Sequence, residues 1–397
     1  MLAACLLLSV AAACSAVVLP PETYLSTPEL IVFNGFTAEN HTVVTADGFT
    51  LHAFRIPNPG APVVLLQHGL QDSSDAWVVN PRNESLAFLL ADAGFDVFLG
   101  NNRGNKYSQP DCPPTPVEAV RACWKFGWEE MAEYDVPAHL EYITKLTGQS
   151  SVGYVGHSEG TTQMIAYLAM DEFHKSTFAK LNTAVLLAPV AWIGNIGIPL
   201  YKYLADHNGA EFLERLGLEQ FPPATGAAQT FLPNVCAKKP SVCDTLFEYQ
   251  FGQDVSDLNQ TRIPVYEAHM NAGSSARAVE HYTQLMQTGN FTRFDFGEAG
   301  NMAKYGQPTP PAYPVAASSV PPGGVHMFSG GVDRLGDPRD VATLVATFPM
   351  DDSCSHKQIP TWGHVDFLYT MHPEIVYEDV VARLQAGVPS AHRIVQK

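Results

Sequence analysis

The residues best placed to do chemistry are Gly156-His157-Ser158-Glu159-Gly160, a Gly-x-Ser-x-Gly pentapeptide. A serine hydroxyl is a weak nucleophile at its free pKa, so it needs a base within hydrogen-bond reach and little bulk around it. Small residues on both sides permit the strained strand-to-helix turn that exposes such a serine, and Gly156 and Gly160 supply them. Attack on an acyl carbonyl also requires a group that orients the base, and the expected chain order is serine, acid, histidine. Asp333, in Ser329-Gly330-Gly331-Val332-Asp333, and His364, in Gly363-His364-Val365-Asp366-Phe367, fit that order. Position alone leaves Asp337 or Asp340 open for the acid and His356 or His372 for the base.

Such a serine must sit between a strand and a helix. The apolar run Val152-Gly153-Tyr154-Val155 precedes the pentapeptide, and residues 161–170 behind it have helical spacing. Unbroken apolar runs at residues 62–70, 95–99 and 183–189 read as parallel strands covered on both faces. Residues 85–93 and 129–146 read as helices between them. Earlier, residues 41–45 and 49–55 flank Ala46-Asp47-Gly48 and read as a β-hairpin. The proline-punctuated stretch from residue 20 to 36 is expected to lie across the surface. Strands alternating with helices predict an α/β fold with a mostly parallel central sheet.

The alternation stops near Pro189 and resumes at residues 325–331. Between them, residues 190–319 read as helix and loop, with many large apolar side chains and a proline-rich return. The expected organisation is therefore one α/β core in two parts, residues 17–189 and 320–397, with a largely helical cap or lid inserted at 190–319. No internal repeat is visible.

A chain of 397 residues with 46% hydrophobic content can bury a large core, which excludes a disordered or fibrous protein. Its formal net charge of −17 repels phosphate backbones, so no nucleic acid partner is expected. Residues 1–16 are apolar, too short to span a bilayer, and end in small residues, as a secretory signal peptide does. Four Asn-x-Ser/Thr sequons, at Asn40, Asn83, Asn259 and Asn290, favour a glycoprotein over a bacterial lipoprotein anchored at Cys14. Cys5 and Cys14 leave with the signal. Two local disulfides, Cys112–Cys123 and Cys236–Cys243, with Cys354 free, are the simplest partition of the remaining cysteines in an oxidising compartment. No spacing resembles a metal site.

Taken in order, several stretches resemble the acid lipase family, the gastric and lysosomal lipases of the α/β-hydrolase superfamily. They are Val43-Val44-Thr45-Ala46-Asp47-Gly48, Leu66-Gln67-His68-Gly69-Leu70, Asn102-Arg103-Gly104-Asn105, residues 129–138, the serine pentapeptide, and the segments around Asp333 and His364. The resemblance covers nearly all of the mature chain. It implies an α/β-hydrolase fold, with Ser158 as nucleophile, Asp333 as orienting acid and His364 as general base. It also implies oxyanion donors at the backbone N–H groups of Leu70 and Glu159, a cap disulfide at Cys236–Cys243, no cofactor, and a secreted or lysosomal location.

Glu159 departs from the family, which usually carries glutamine there. An ionised carboxylate beside a developing oxyanion opposes it, so Glu159 is expected to shift the activity optimum towards acid pH. The leading expectation is hydrolysis of neutral lipid esters, triacylglycerols or cholesteryl esters, at a lipid–water interface. The alternatives are a carboxylesterase for small soluble esters and a non-catalytic lipid-binding or storage protein on the same fold.

Overall fold

The computed structural model describes residues 19–113, 115–207, 219–220, 227–251 and 258–389. The signal sequence expected at 1–16 lies outside them. The molecule is built on one eight-stranded sheet in the order β1-β2-β4-β3-β5-β6-β7-β8. Its strands are β1 (Glu39–Val44), β2 (Thr50–Ile56), β3 (Val63–Gln67), β4 (Asp96–Leu99), β5 (Val152–His157), β6 (Leu181–Leu187), β7 (Val325–Gly330) and β8 (Ser355–Ile359). The β1–β2 and β2–β4 pairings are antiparallel and the rest are parallel. Every residue of β3 through β7 is buried, which is why these strands read as continuous apolar runs.

Helices cover both faces and divide the core in two. One cluster includes Trp77, Phe88, Val155 and Phe367; the other includes Leu65, Tyr154, Tyr167 and Trp128. Between β6 and β7 the described chain contributes helices but no further strand of the sheet, among them Pro199–Asp206, Ala227–Lys238, Pro240–Phe251, Ile263–His269 and Ala276–Thr288.

The stretch expected to run across the surface departs from that reading. Residues Thr27–Phe33 form a helix that sinks Leu30 and Ile31 fully into the core. Ser26 and Glu29 cap it reciprocally, and Pro28 sits in its first turn, where a missing N–H costs nothing. Pro28, one of the prolines that punctuate this stretch, is thus a helix starter.

Three of the sequence stretches noted above meet at one buried guanidinium. Arg103 donates to Asp135 at 2.6 and 2.9 Å and to Asp47 at 2.8 and 3.1 Å. This ties the loop after β4 to the hairpin turn and to the helix before β5. Cys112 and Cys123 form a disulfide, and Cys354 is a half-buried free thiol. Cys236 is also disulfide-bonded; the side chain of Cys243, its expected partner, lies outside the described residues. Asn40, Asn83 and Asn290 are exposed. Asn259 is half-buried, and its side-chain oxygen accepts from Thr261 N at 3.2 Å and Thr261 Oγ1 at 2.6 Å. No helix among the described residues is long and apolar enough to cross a membrane.

Candidate active site

The elbow follows from where β5 must stop. Ser158 adopts φ 52° and ψ −116°, a conformation side chains rarely tolerate, and its N–H donates to Leu187 O at 3.1 Å. Helix Glu159–Ala169 starts at the next residue. The turn is so tight that a Cβ on Gly160 would stand 2.4 Å from Gln67 O, and one on Gly156 2.7 Å from the Gly160 carbonyl. Glycine at both positions is a packing requirement.

Ser158 Oγ lies 2.8 Å from His364 Nε2, and His364 Nδ1 lies 2.8 Å from Asp333 Oδ2. A carboxylate only accepts, so Nδ1 carries the proton and Nε2 is free to accept from the serine. The other Asp333 oxygen accepts the N–H groups of Leu335 and Gly336, both at 2.8 Å, which fixes the carboxylate's orientation. The three side chains come from the carboxyl ends of β5, β7 and β8, where open α/β sheets place their ligands.

The alternatives are occupied elsewhere. Asp337 caps helix Pro338–Thr347 and pairs with Arg339; Asp340 accepts from Asn195 N and Nδ2 at 2.9 and 2.8 Å. His356 contacts Ser329 Oγ at 2.8 Å, and His372 is exposed beside Glu374.

The Gly69-Leu70 loop passes directly over the serine: a Cβ on Gly69 would meet Ser158 Cβ at 3.0 Å. His68 shapes that loop, a role its sequence position did not reveal. Its Nδ1–H donates to Gly69 O at 2.8 Å, and its Nε2 accepts from Asn102 N and Asn105 Nδ2, both at 3.0 Å. Burial lowers its pKa to about 4, so the ring is a neutral strut. His157 is a second such ring. It donates from Nε2 to the His364 carbonyl at 3.0 Å, and burial, then the neighbouring His364, lower its pKa to about 3.

Ser158 and His364 open into a cavity whose far walls are largely apolar, including Val190, Ile193, Ile196, Tyr201, Met286 and Leu368. Gln71, Asp72 and Asn271 add a polar corner. Among the described residues, no cluster of three or more His, Cys, Asp or Glu is arranged to hold a metal ion.

Comparisons with known proteins identify the family and the fold. A model of a partial alpha/beta-hydrolase lipase region matches residues 27–81, and one of the alpha/beta hydrolase fold matches residues 62–195. Gastric triacylglycerol lipase of Rattus norvegicus is 38% identical over 379 residues, spanning 92% of each chain. The chain belongs to the acid lipase family. A Crotalus adamanteus relative named for lysosomal acid lipase and cholesteryl ester hydrolase activity is 36% identical, covering 94% of this chain and 93% of its own. The solved structure of a Sulfolobus solfataricus protein named as a lipase shares the fold at 16% identity, with TM-score 0.58, covering 87% of this chain and 93% of that one. Membership in this family makes the chain a lipase, a carboxylic ester hydrolase.

The carboxyl of Glu159 departs from expectation. It points into the protein beneath the elbow, where Asn102 Nδ2 donates to Oε1 at 3.3 Å. Burial raises its pKa to about 8. Burial thus disfavours the charged form, which weakens the repulsion on which the expected acid shift rests.

Proposed function

We propose that the chain hydrolyses neutral lipid esters, triacylglycerols foremost, through Ser158, His364 and Asp333. The observation that carries this reading is the hydrogen-bonded run from Ser158 Oγ through His364 to Asp333 at the mouth of an apolar cavity. Residues 190–319 act as the cap that supplies that cavity's roof, and displacing them would offer apolar surface to a lipid interface.

In the first half-reaction His364 Nε2 takes the serine proton as Oγ attacks the ester carbonyl. Asp333 stabilises the resulting imidazolium. The N–H groups of Leu70 and Glu159 face the oxygen of the tetrahedral intermediate, each contributing about 3–4 kcal/mol at the transition state. His364 then gives its proton to the departing alcohol, leaving an acyl-Ser158 ester. Water, deprotonated by the same nitrogen, attacks that ester; collapse releases the fatty acid and returns the proton to Ser158. The leader at residues 1–16, the sequons and the relatives together favour a secreted or lysosomal protein.

The test is hydrolysis of emulsified long-chain triacylglycerol against a soluble short-chain ester from acid to neutral pH, with Ser158→Ala as control. Emulsion activity lost in the control supports the reading. Activity on the short-chain ester alone would replace it with an esterase, and no activity with no fluorophosphonate labelling of Ser158 would leave a lipid-binding protein.

A further inference from the structure

The mechanism above uses the backbone N–H of Glu159 and leaves its side chain idle, yet that side chain is fully enclosed and joined to both sides of the site. Asn102, its partner at Oε1, accepts from Gln67 Nε2 and gives its own N–H to His68, so the carboxyl is connected to the strand end that carries the Gly69-Leu70 loop. Oε2 has no bond of good hydrogen-bonding geometry, although the Tyr282 hydroxyl lies beside the carboxyl.

Tyr282 has already committed its proton. Its hydroxyl donates to Thr162 Oγ1 at 3.1 Å, and Thr162 Oγ1 donates to Val190 O at 2.8 Å. The last acceptor is a carbonyl, so while Tyr282 donates to Thr162 its oxygen faces Glu159 as an acceptor. A carboxylate there would set two acceptors against each other. A carboxylic acid supplies the missing hydrogen and completes a run from Glu159 through Tyr282 and Thr162 to Val190.

We propose that Glu159 is a positioning residue that works as a neutral acid, clipping helix Ala276–Thr288 of the cap to the residue whose N–H serves the oxyanion hole. The proposal rests on the lipase reading given above. No surrounding group offers a countercharge. Arg103 is spent on Asp47 and Asp135, and Asp135 itself disfavours ionisation. Tyr154, beneath, gives its hydroxyl to Gly160 O at 2.7 Å, and His68 is neutral. Burial without a cation is what raises the carboxyl's pKa to about 8.

Glutamine has the same shape, can donate to Tyr282 and accept from Asn102, and does not titrate. Glu159→Gln is therefore the discriminating variant. Wild-type kcat/KM on a soluble ester should fall above about pH 8 as Glu159 ionises, towards the lower rate of the unclipped form. The variant should lack that limb when each protein's rate is scaled to its own value in acid. Amide hydrogen exchange over residues 276–288, compared at the same pH, should be equal in the two proteins at acid pH and faster in wild type above pH 8. Identical pH profiles together with identical exchange would overturn the proposal. If wild type neither hydrolyses esters nor labels with fluorophosphonate, the lipase reading fails, and the exchange comparison still decides the clip.

Discussion

The floor and the roof of the cavity are built on opposite plans. On the floor, the groups of the catalytic run and its loop are fixed by second hydrogen bonds: Asp333 by two backbone N–H groups, His364 by Asp333, and the Gly69 carbonyl by His68. On the roof, Ile193, Ile196 and Met286 meet the cavity through dispersion and burial, while Tyr282 and the Ala272 N–H, which donates to Gln71 O at 2.7 Å, supply polar ties to the floor. Chemistry needs atoms placed to a few tenths of an ångström, which strand ends provide. Holding an acyl chain needs only apolar area of roughly the right shape, which helices of many sequences provide.

The sharpest test of that contrast is on the floor. Ser158→Ala should lower ester hydrolysis on the order of 10⁶-fold, leaving the residual rate that binding and the oxyanion donors sustain. Asp333→Asn comes next, at about 10⁴-fold in kcat. The Leu335 and Gly336 N–H groups would hold the amide oxygen where a carboxylate oxygen now sits, turning the NH₂ towards His364. Nδ1 would then have to accept, the proton would move to Nε2, and the ring could no longer take hydrogen from Ser158. Steady-state ester hydrolysis measures both losses, and the rate at which a fluorophosphonate labels Ser158 checks the second.

A change in the roof should act on selectivity alone. Met286→Trp narrows the cavity without touching the floor, so the ratio of long-chain to short-chain ester activity should fall by about 10- to 100-fold, on the scale of a few methylenes' worth of binding. Equal losses on both substrates would mean that the roof also positions the reacting atoms, and the division proposed here would not hold.

The same contrast explains what the sequence disclosed. The central strands were legible because burial on both faces writes itself as unbroken apolar runs, and the serine elbow because Gly160 is forced by the approach of Gln67 O. The acid was not decided by spacing, since Asp333, Asp337 and Asp340 share one loop and helix start; their backbone and side-chain partners separate them. His68 and Asn102 lie in stretches that the sequence singled out, but the tie between them escaped notice because it joins residues 34 apart across two strand ends. Helix Thr27–Phe33 escaped although its Ser26–Glu29 capping box was there to be read. The roof carries no motif because its requirement is composition, which many sequences satisfy.

The smallest expected effect concerns how floor and roof stay together as pH changes. Among the described carboxyls that form no ion pair, burial raises three the furthest: Glu159 to about 8, Glu267 to about 7 and Asp72 to about 7. The unfolded chain ionises such groups near 4, so their contribution to stability is full in acid, is lost as pH rises from about 4 to about 8, and changes no further above that. Burial acts in the opposite sense on the histidines, most strongly on four, lowering His68 and His139 to about 4 and His157 and His281 to about 3. Unfolded histidine protonates near 6.5, so their contribution is full above that pH and is lost as pH falls towards 3 to 4. The two trends oppose each other between about 4 and 6.5 and leave a broad maximum there. Above 6.5 only the carboxyl slope remains. The midpoint of thermal unfolding, scanned at one heating rate, should therefore be highest in mild acid and drift down by a few degrees towards pH 8. Glu159→Gln should make that drift shallower; a midpoint that instead rises from pH 6.5 to 8 would mean that these carboxyls are paired in the folded protein and that floor and roof are joined by charge.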